Sequence, residues 1–281
     1  MNQDSNFASE LQDVNEKYNI SRYCQQLWRF RHFIIKNGQA RTITRNLTFR
    51  LGHLWFLLRP LLDLSVYGLI FGVILQTSRG VENFLAFLIV GVGYFMPLNT
   101  SLNDPTSLLK TYKNLIRSFN FPTGCIVISA WLTTMLSALP AIAIMSLGGW
   151  IASGCSDLFP EILLLPLLWL LISLFCLGLY FLVSFITHYL PDVKMGISTI
   201  SRIWFYISGV FFSLDKFSTD SLIRRISNYN PAYHVLSIAR DILLNGKAGS
   251  GYSWCYLIVV SSFLLLIGFN LFRKHEGEYA S

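Results

Sequence analysis

Charge is scarce in this sequence. Only 13% of its 281 residues are Asp, Glu, Lys or Arg, against 53% hydrophobic, whereas a soluble globular chain carries about a quarter charged. A large water-soluble domain is therefore excluded, because too little polar surface exists to cover one. Closely spaced cysteine is lacking too: Cys24, Cys125, Cys155, Cys176 and Cys255 are scattered, without the short spacings of metal cages or redox pairs. Ordinary packing is the expectation for them, with a disulfide between Cys155 and Cys255 left open. No GxxxxGK[ST] loop occurs, so this chain does not hydrolyse ATP by itself. The histidines are isolated, and Pro191 interrupts any helix that would align His188 with Asp192, so no metal site is expected. The first fifty residues contain no apolar run, which excludes a cleaved signal peptide and leaves the amino terminus cytosolic.

What the sequence has in quantity is long apolar runs. A spanning helix needs roughly 20 apolar residues, each adding about 1.5 Å across a core of about 30 Å. Six stretches meet or approach that length: 54–75, 84–102, 125–147, 162–186, 197–214 and 254–272. The fifth is the most polar, diluted by Ser198, Ser201, Arg202, Ser208 and Ser213, and is expected to face protein or water. The reading is an all-α integral membrane protein with six transmembrane helices. Of the Lys and Arg residues, 14 fall on the side of the termini and six on the other, which places both termini in the cytosol by the positive-inside rule. Anionic headgroups on the inner leaflet account for the net charge of +7, and nucleic-acid binding is not expected.

Between the spans lie shorter elements. Residues 1–20 read as a flexible cytosolic tail. Over 21–50, Tyr23, Leu27, Trp28, Phe30, Phe33 and Ile34 alternate with Arg22, Arg29, Arg31 and Lys36. This predicts an amphipathic helix in the membrane interface, its rings and aliphatics entering the acyl boundary. Asp104 as cap and Pro105 at the first position predict a short cytosolic helix, with Leu108, Leu109, Tyr112, Leu115 and Ile116 on one face. Lys110, Lys113 and Arg117 lie towards its end, where they favour the helix dipole. Composition alone would rest this helix on the membrane. In the long loop over 213–253, Asn230, Pro231 and Gly246 frame a helix too short and too charged to span, read as re-entrant.

Charges inside spans carry a functional expectation. Arg59 and Asp63 are four apart and can pair, and Arg59 and Arg202 sit near the cytosolic ends. They either snorkel or form a place where the headgroup of an anionic lipid is taken up. A GxxxG at Gly68 and Gly72 is weak evidence for close helix packing.

Three ordered blocks resemble the ABC-2 type permeases, the membrane subunits of ABC exporters for O-antigen, capsule and teichoic acid. They are LGHLWFLLRPLLDLSVYGLIFGVIL over 51–75, NLIRSFNFP over 114–122 and NPAYHVLSIARDILLNG over 230–246. The sequence departs from that pattern at Arg59, often neutral in the family, and at Leu190, Pro191 and Asp192, where an Arg-Asp pair is usual. The resemblance implies a single transmembrane domain over 21–281 that forms a homodimer and binds two copies of an ABC ATPase subunit. ATP and Mg belong to that partner, and this chain has neither cofactor nor enzymatic role. A lipid-linked glycan would move from the cytosolic to the outer side of the cell membrane. The 104–117 helix, through Asp104, Leu108, Leu109, Tyr112, Lys113, Leu115 and Arg117, would contact the ATPase rather than the membrane. Sugar C–H faces favour aromatic walls, so Trp204, Tyr206, Phe211 and Phe212 are pathway candidates, with ordinary packing an equal alternative. Tyr233, His234, Arg240 and Asp241 are the candidate outer gate, and His234 reads equally well as a satisfied structural histidine. Export of a drug or lipid shares the six-span plan. A membrane glycosyltransferase or acyltransferase would need convergent acids or a histidine centre, which Asp104, Asp192 and His188 do not supply.

Overall fold

A computed structural model of the chain describes residues 20–47, 83–118, 122–154, 160–213 and 222–279, with scattered positions between 58 and 70. Every regular element among the described residues is a helix. In chain order α1 is Ile20–Arg29, α2 Arg31–Leu47, α3 Phe84–Asn103, α4 Leu108–Thr111, α5 Lys113–Ser118 and α6 Gly124–Ala152. Then come α7 Leu165–Tyr189, α8 Val193–Ile207, α9 Leu222–Asn228, α10 Pro231–Leu244 and α11 Gly251–Lys274.

Four of these helices, with their short extensions, are long and apolar enough to cross a membrane: Phe84–Thr111, Gly124–Ala152, Pro160–Tyr189 and Gly251–Lys274. They coincide with the second, third, fourth and sixth expected spans. The first, 54–75, lies outside the described residues apart from a few positions. At the fifth, the helix is Val193–Ile207, 15 residues rather than a run to 214, or about 22 Å by helical rise. It stops because Ser208 folds its hydroxyl back onto the Trp204 carbonyl (2.6 Å) and Gly209 takes a φ of +71°, a left-handed turn that glycine accepts without a Cβ clash.

The hub is α3. Two-thirds (67%) of its apolar window is buried, against 22% for α11 at the periphery. It packs on α6, α7, α8 and α10, and Asn83, just before α3, caps it at Ala86 (3.2 Å) while bonding the Ala152 carbonyl at the far end of antiparallel α6. The crossing of α7 with α11 depends on glycine: a Cβ at Gly178 would stand 2.8 Å from the Leu265 backbone, and one at Gly268 would stand 2.6 Å from the Gly178 carbonyl. Backbones this close gain dispersion contact that larger residues forbid. Gly68 and Gly72, singled out by spacing, fall outside the described residues.

The amino-terminal helix breaks at Phe30 into α1 and α2. Tyr23, Leu27 and Ile34 are buried with Cys125 of α6, not turned towards acyl chains, while Trp28, Phe33 and Ile35 remain exposed. Gly124 leaves room for the Tyr23 hydroxyl, which accepts its N–H at 3.2 Å. Glu276 then ties three elements together. Its carboxylate accepts from the Thr123 N–H and hydroxyl (2.9 Å) and bonds the Tyr23 side chain, so the helix turn at 276–278 anchors the start of α6 to α1. Burial first, and the Glu276 carboxylate second, push the Tyr23 phenol well above its ordinary value, which keeps it protonated.

Cys125 and Cys176 are buried thiols, and Cys24 and Cys255 exposed free ones. Cys155 lies outside the described residues. His188 packs its ring against Tyr189 and Tyr279.

Candidate functional site

At one end of the bundle, the expected helix over 104–117 is not continuous. Helix α3 runs directly into a 3-10 turn at Asp104–Ser107, and Asp104 is the C-cap of α3, its N–H bonded to the Thr100 carbonyl, not the N-cap of a new helix. Tyr112 (φ −100°, ψ 10°) then separates α4 from α5. Leu108, Leu109 and Ile116 are buried in a cluster with Ile126, Tyr180, Phe181 and Phe272, so the apolar face predicted for a partner is consumed inside the chain. Lys110, Thr111, Lys113, Asn114, Arg117 and Ser118 are the exposed positions, while Tyr112 and Leu115 are half-buried. The outward face is polar and basic.

At the other end, α8, the turn that follows it and α10 form one assembly. Asn230 joins them: its Oδ1 caps α10 by accepting from the Ala232 N–H (3.1 Å) and also accepts from the Trp204 indole (2.8 Å), while its Nδ2 donates to Ser208 Oγ (3.0 Å). Pro231 occupies the first turn of α10, where no intrahelical N–H is lost, and Gly246 follows its end at φ +58°. The local frame read from the sequence is the one the chain adopts.

Arg240 is buried, 6% exposed, and its partners are backbone carbonyls. Nε donates to Phe87 O (3.2 Å), Nη1 to Gly209 O (2.9 Å) and Nη2 to Val210 O (3.1 Å). The guanidinium carbon also stands 3.3 Å from the centroid of the Phe87 ring, a cation–π contact. Space for the guanidinium exists because residue 91, one turn after Phe87, is glycine: a Cβ there would run into Nη2 of Arg240. Arg240 thereby locks the Gly209–Val210 turn, within the stretch read as the fifth span, to α3; the first span lies outside the described residues. Asp241 points elsewhere, accepting from Asn245 Nδ2 (3.0 Å), as adjacent helix positions require.

Of the other gate candidates, Tyr233 lies half-buried against the same turn, 3.5 Å from where a Gly209 Cβ would be. His234 is fully engaged: Nε2 meets the Asn228 carbonyl (2.9 Å) and Nδ1 the Ser253 hydroxyl (3.0 Å). A carbonyl only accepts, so Nε2 carries the proton and Nδ1 receives the serine hydrogen. That is a structurally satisfied histidine.

The aromatic candidates divide. Trp204 packs edge-on against Phe95 (5.3 Å) and borders an open apolar groove with Ile200, Ile203, Ile207, Tyr229 and Pro231. Tyr206 is 61% exposed and stacks with Phe211 (5.7 Å), on which Phe205 also packs; Phe212 follows, half-buried. Arg202 is exposed on α8, and Arg59 lies outside the described residues. Two participants escaped the sequence reading: Asn230 as a bridge between helices, and Gly91 as the space for Arg240. Both needed a partner more than a turn away in the chain.

The family model described as ABC-2 type transporter matches residues 38–244. The O-antigen export system permease protein RfbA of Myxococcus xanthus is 24% identical over 264 residues, covering 92% of this chain and 98% of that protein. The polysialic acid transport protein KpsM of Escherichia coli is 29% identical over 242 residues, covering 83% and 89%. The capsule polysaccharide export inner-membrane protein CtrC of Neisseria meningitidis is 24% identical over 234 residues, covering 80% and 84%.

Proposed function

The chain belongs to the ABC-2 type transporter family, and from that premise we propose that it is the permease subunit of an ATP-driven exporter moving a lipid-linked polysaccharide from the cytosolic to the outer side of the cell membrane. The observation that carries this reading is similarity running nearly end to end with permeases named for O-antigen and capsule export. Similarity over 92% and 80% of this chain spans far more than one shared helix.

In this reading six spans per chain pair into a homodimer of twelve, both termini lie in the cytosol, and two copies of an ABC ATPase subunit supply Mg-ATP hydrolysis. The exposed basic face of α4 and α5 meets the ATPase. Helix α10, held to α3 by Arg240, closes the outer exit, and the groove beside Trp204 together with the Tyr206–Phe211 stack forms part of the glycan wall. Arg59 and Arg202 receive the headgroup of the carrier lipid at the cytosolic side.

Deletion of the gene from its host tests the function directly. Surface polysaccharide should vanish while its lipid-linked form accumulates inside, with restoration by the intact gene. Normal surface polysaccharide accompanied by a changed drug sensitivity would move the assignment to a drug or lipid exporter. Pulling down the tagged chain should recover an ATPase subunit in equal amount; glycosyl transfer by the isolated chain from a sugar nucleotide would make it an enzyme instead.

A further inference from the structure

A second polar feature of the bundle belongs to none of these roles. A cavity of about 480 Å³ opens between α2, α6, α7 and the segment after α3, and Arg41, Asp104, Tyr112, Thr133, Thr134 and Tyr180 supply its polar lining. The sequence builds it from a regular docking of α2 on α6. Asn37 Nδ2 donates to Ser129 Oγ (2.9 Å), and Thr133 Oγ1 donates to the Gly38 carbonyl (3.2 Å). Residue 41 lies four positions beyond Asn37 and three beyond Gly38, so helical periodicity carries Arg41 along the same face. Its guanidinium lies over the Tyr112 ring, 4.9 Å from the centroid, yet its Nη1 is buried without a hydrogen-bond partner among the described residues. A buried guanidinium nitrogen left unpaired is costly.

On the other wall, the Thr134 hydroxyl lies 3.5 Å from Asp104 Oδ2 and 2.6 Å from the Tyr180 hydroxyl. Asp104 directly follows α3, a 20-residue helix that by itself matches the thickness of a hydrocarbon core. The cavity therefore opens at the depth of lipid headgroups.

A fixed cation, a carboxylate and hydroxyls in one chamber match a ligand that carries both signs of charge. The geometry points to a binding site for the headgroup of a zwitterionic phospholipid, its phosphate on Arg41 and its ammonium on Asp104. A phosphate oxygen gives Arg41 Nη1 its acceptor, and the guanidinium fork suits that geometry. The Asp104 carboxylate, with lone pairs for several donors, attracts the ammonium and repels a headgroup of net negative charge. The bound lipid then ties α2 to the end of α3, next to the exposed face of α4 and α5. This site is separate from the glycan route and holds whether or not the exported substrate is a polysaccharide.

Native mass spectrometry of the full-length chain in mild detergent tests it, titrating dioleoyl phosphatidylethanolamine, dioleoyl phosphatidylglycerol and inorganic phosphate. The wild type should retain phosphatidylethanolamine saturably, more tightly than phosphatidylglycerol, and millimolar phosphate should not displace it. Arg41→Gln should weaken retention at least about tenfold, the worth of one charged hydrogen bond, and Asp104→Asn should shift preference towards phosphatidylglycerol. Melting in detergent provides the folding control: phosphatidylethanolamine should raise the melting temperature of the wild type and of Lys110→Gln, and leave Arg41→Gln unmoved. Equal retention by wild type and Arg41→Gln would overturn the proposal. So would a wild type that holds phosphatidylglycerol as tightly as phosphatidylethanolamine, and displacement by free phosphate would identify a plain anion site.

Discussion

Replacing Arg240 with alanine probes the lock between α10, α3 and the Gly209–Val210 turn. Three hydrogen bonds to carbonyls disappear. The Phe87 carbonyl sits inside α3 and keeps its helical partner, whereas the carbonyls of Gly209 and Val210 lie in a turn. Two buried acceptors left unsatisfied cost about 1–3 kcal/mol each, while relief from burying a cation offsets part of that. Hydrogen bonds measured within membranes average about 0.6 kcal/mol, which sets a floor near 2 for three bonds. A net loss of about 3 kcal/mol follows, or roughly 6–12 °C in melting temperature for a chain of this size. Gly91→Ala supplies the decisive comparison, because its Cβ would run into Arg240 Nη2. In the wild type it should destabilise by about 1–3 kcal/mol, the cost of overpacking. In Arg240→Ala it should be neutral or favourable, since alanine is the better helix former by about 1 kcal/mol. Scanning fluorimetry of the four proteins gives the coupling, and additivity within about 0.5 kcal/mol would refute the packing of Arg240 against α3. Surface polysaccharide should fall in Arg240→Ala and partly return with Arg240→Lys; normal export and a tight membrane in Arg240→Ala would remove α10 as the gate.

Charge reversal at Lys110, Lys113 and Arg117 should abolish co-purification of the ATPase with little change in melting, whereas Leu109→Ala, which empties a buried position, should cost about 2–5 kcal/mol; full ATPase recovery after the reversal would place the contact elsewhere. Trp204→Phe removes the indole bond to Asn230 while keeping a ring against Phe95, and should cost about 1 kcal/mol with export largely intact. Export lost at unchanged stability would assign the indole edge to the substrate. Single cysteines at Ser118 and Ser281 in a cysteine-free background should resist an impermeant thiol reagent in intact cells, and one at Asp157 should react; the opposite pattern inverts the topology.

By itself the sequence determined whatever depends on neighbouring residues. The four described spans follow from uninterrupted apolar runs, since about 20 such residues suffice to cross a bilayer. Helix α10 was legible to within a residue because Asn230, Pro231 and Gly246 act on the backbone beside them. Features satisfied across the fold were not legible. Asp104 and Pro105 have the form of a helix start, but the continuing α3 supplied the Thr100 carbonyl and made Asp104 an ending. Leu108 and Leu109 have the form of a partner's contact face, yet α6 and α7 cover them, because burial within the chain and burial against another protein leave the same apolar pattern. Nothing beside Arg240 in the sequence names its partners, and only the tertiary structure brought three carbonyls, two from a turn about thirty residues away and one from α3, around its guanidinium. The glycines divide in the same way: Gly246 is set by its own φ, whereas Gly91, Gly178 and Gly268 matter for what another helix places where a Cβ would be.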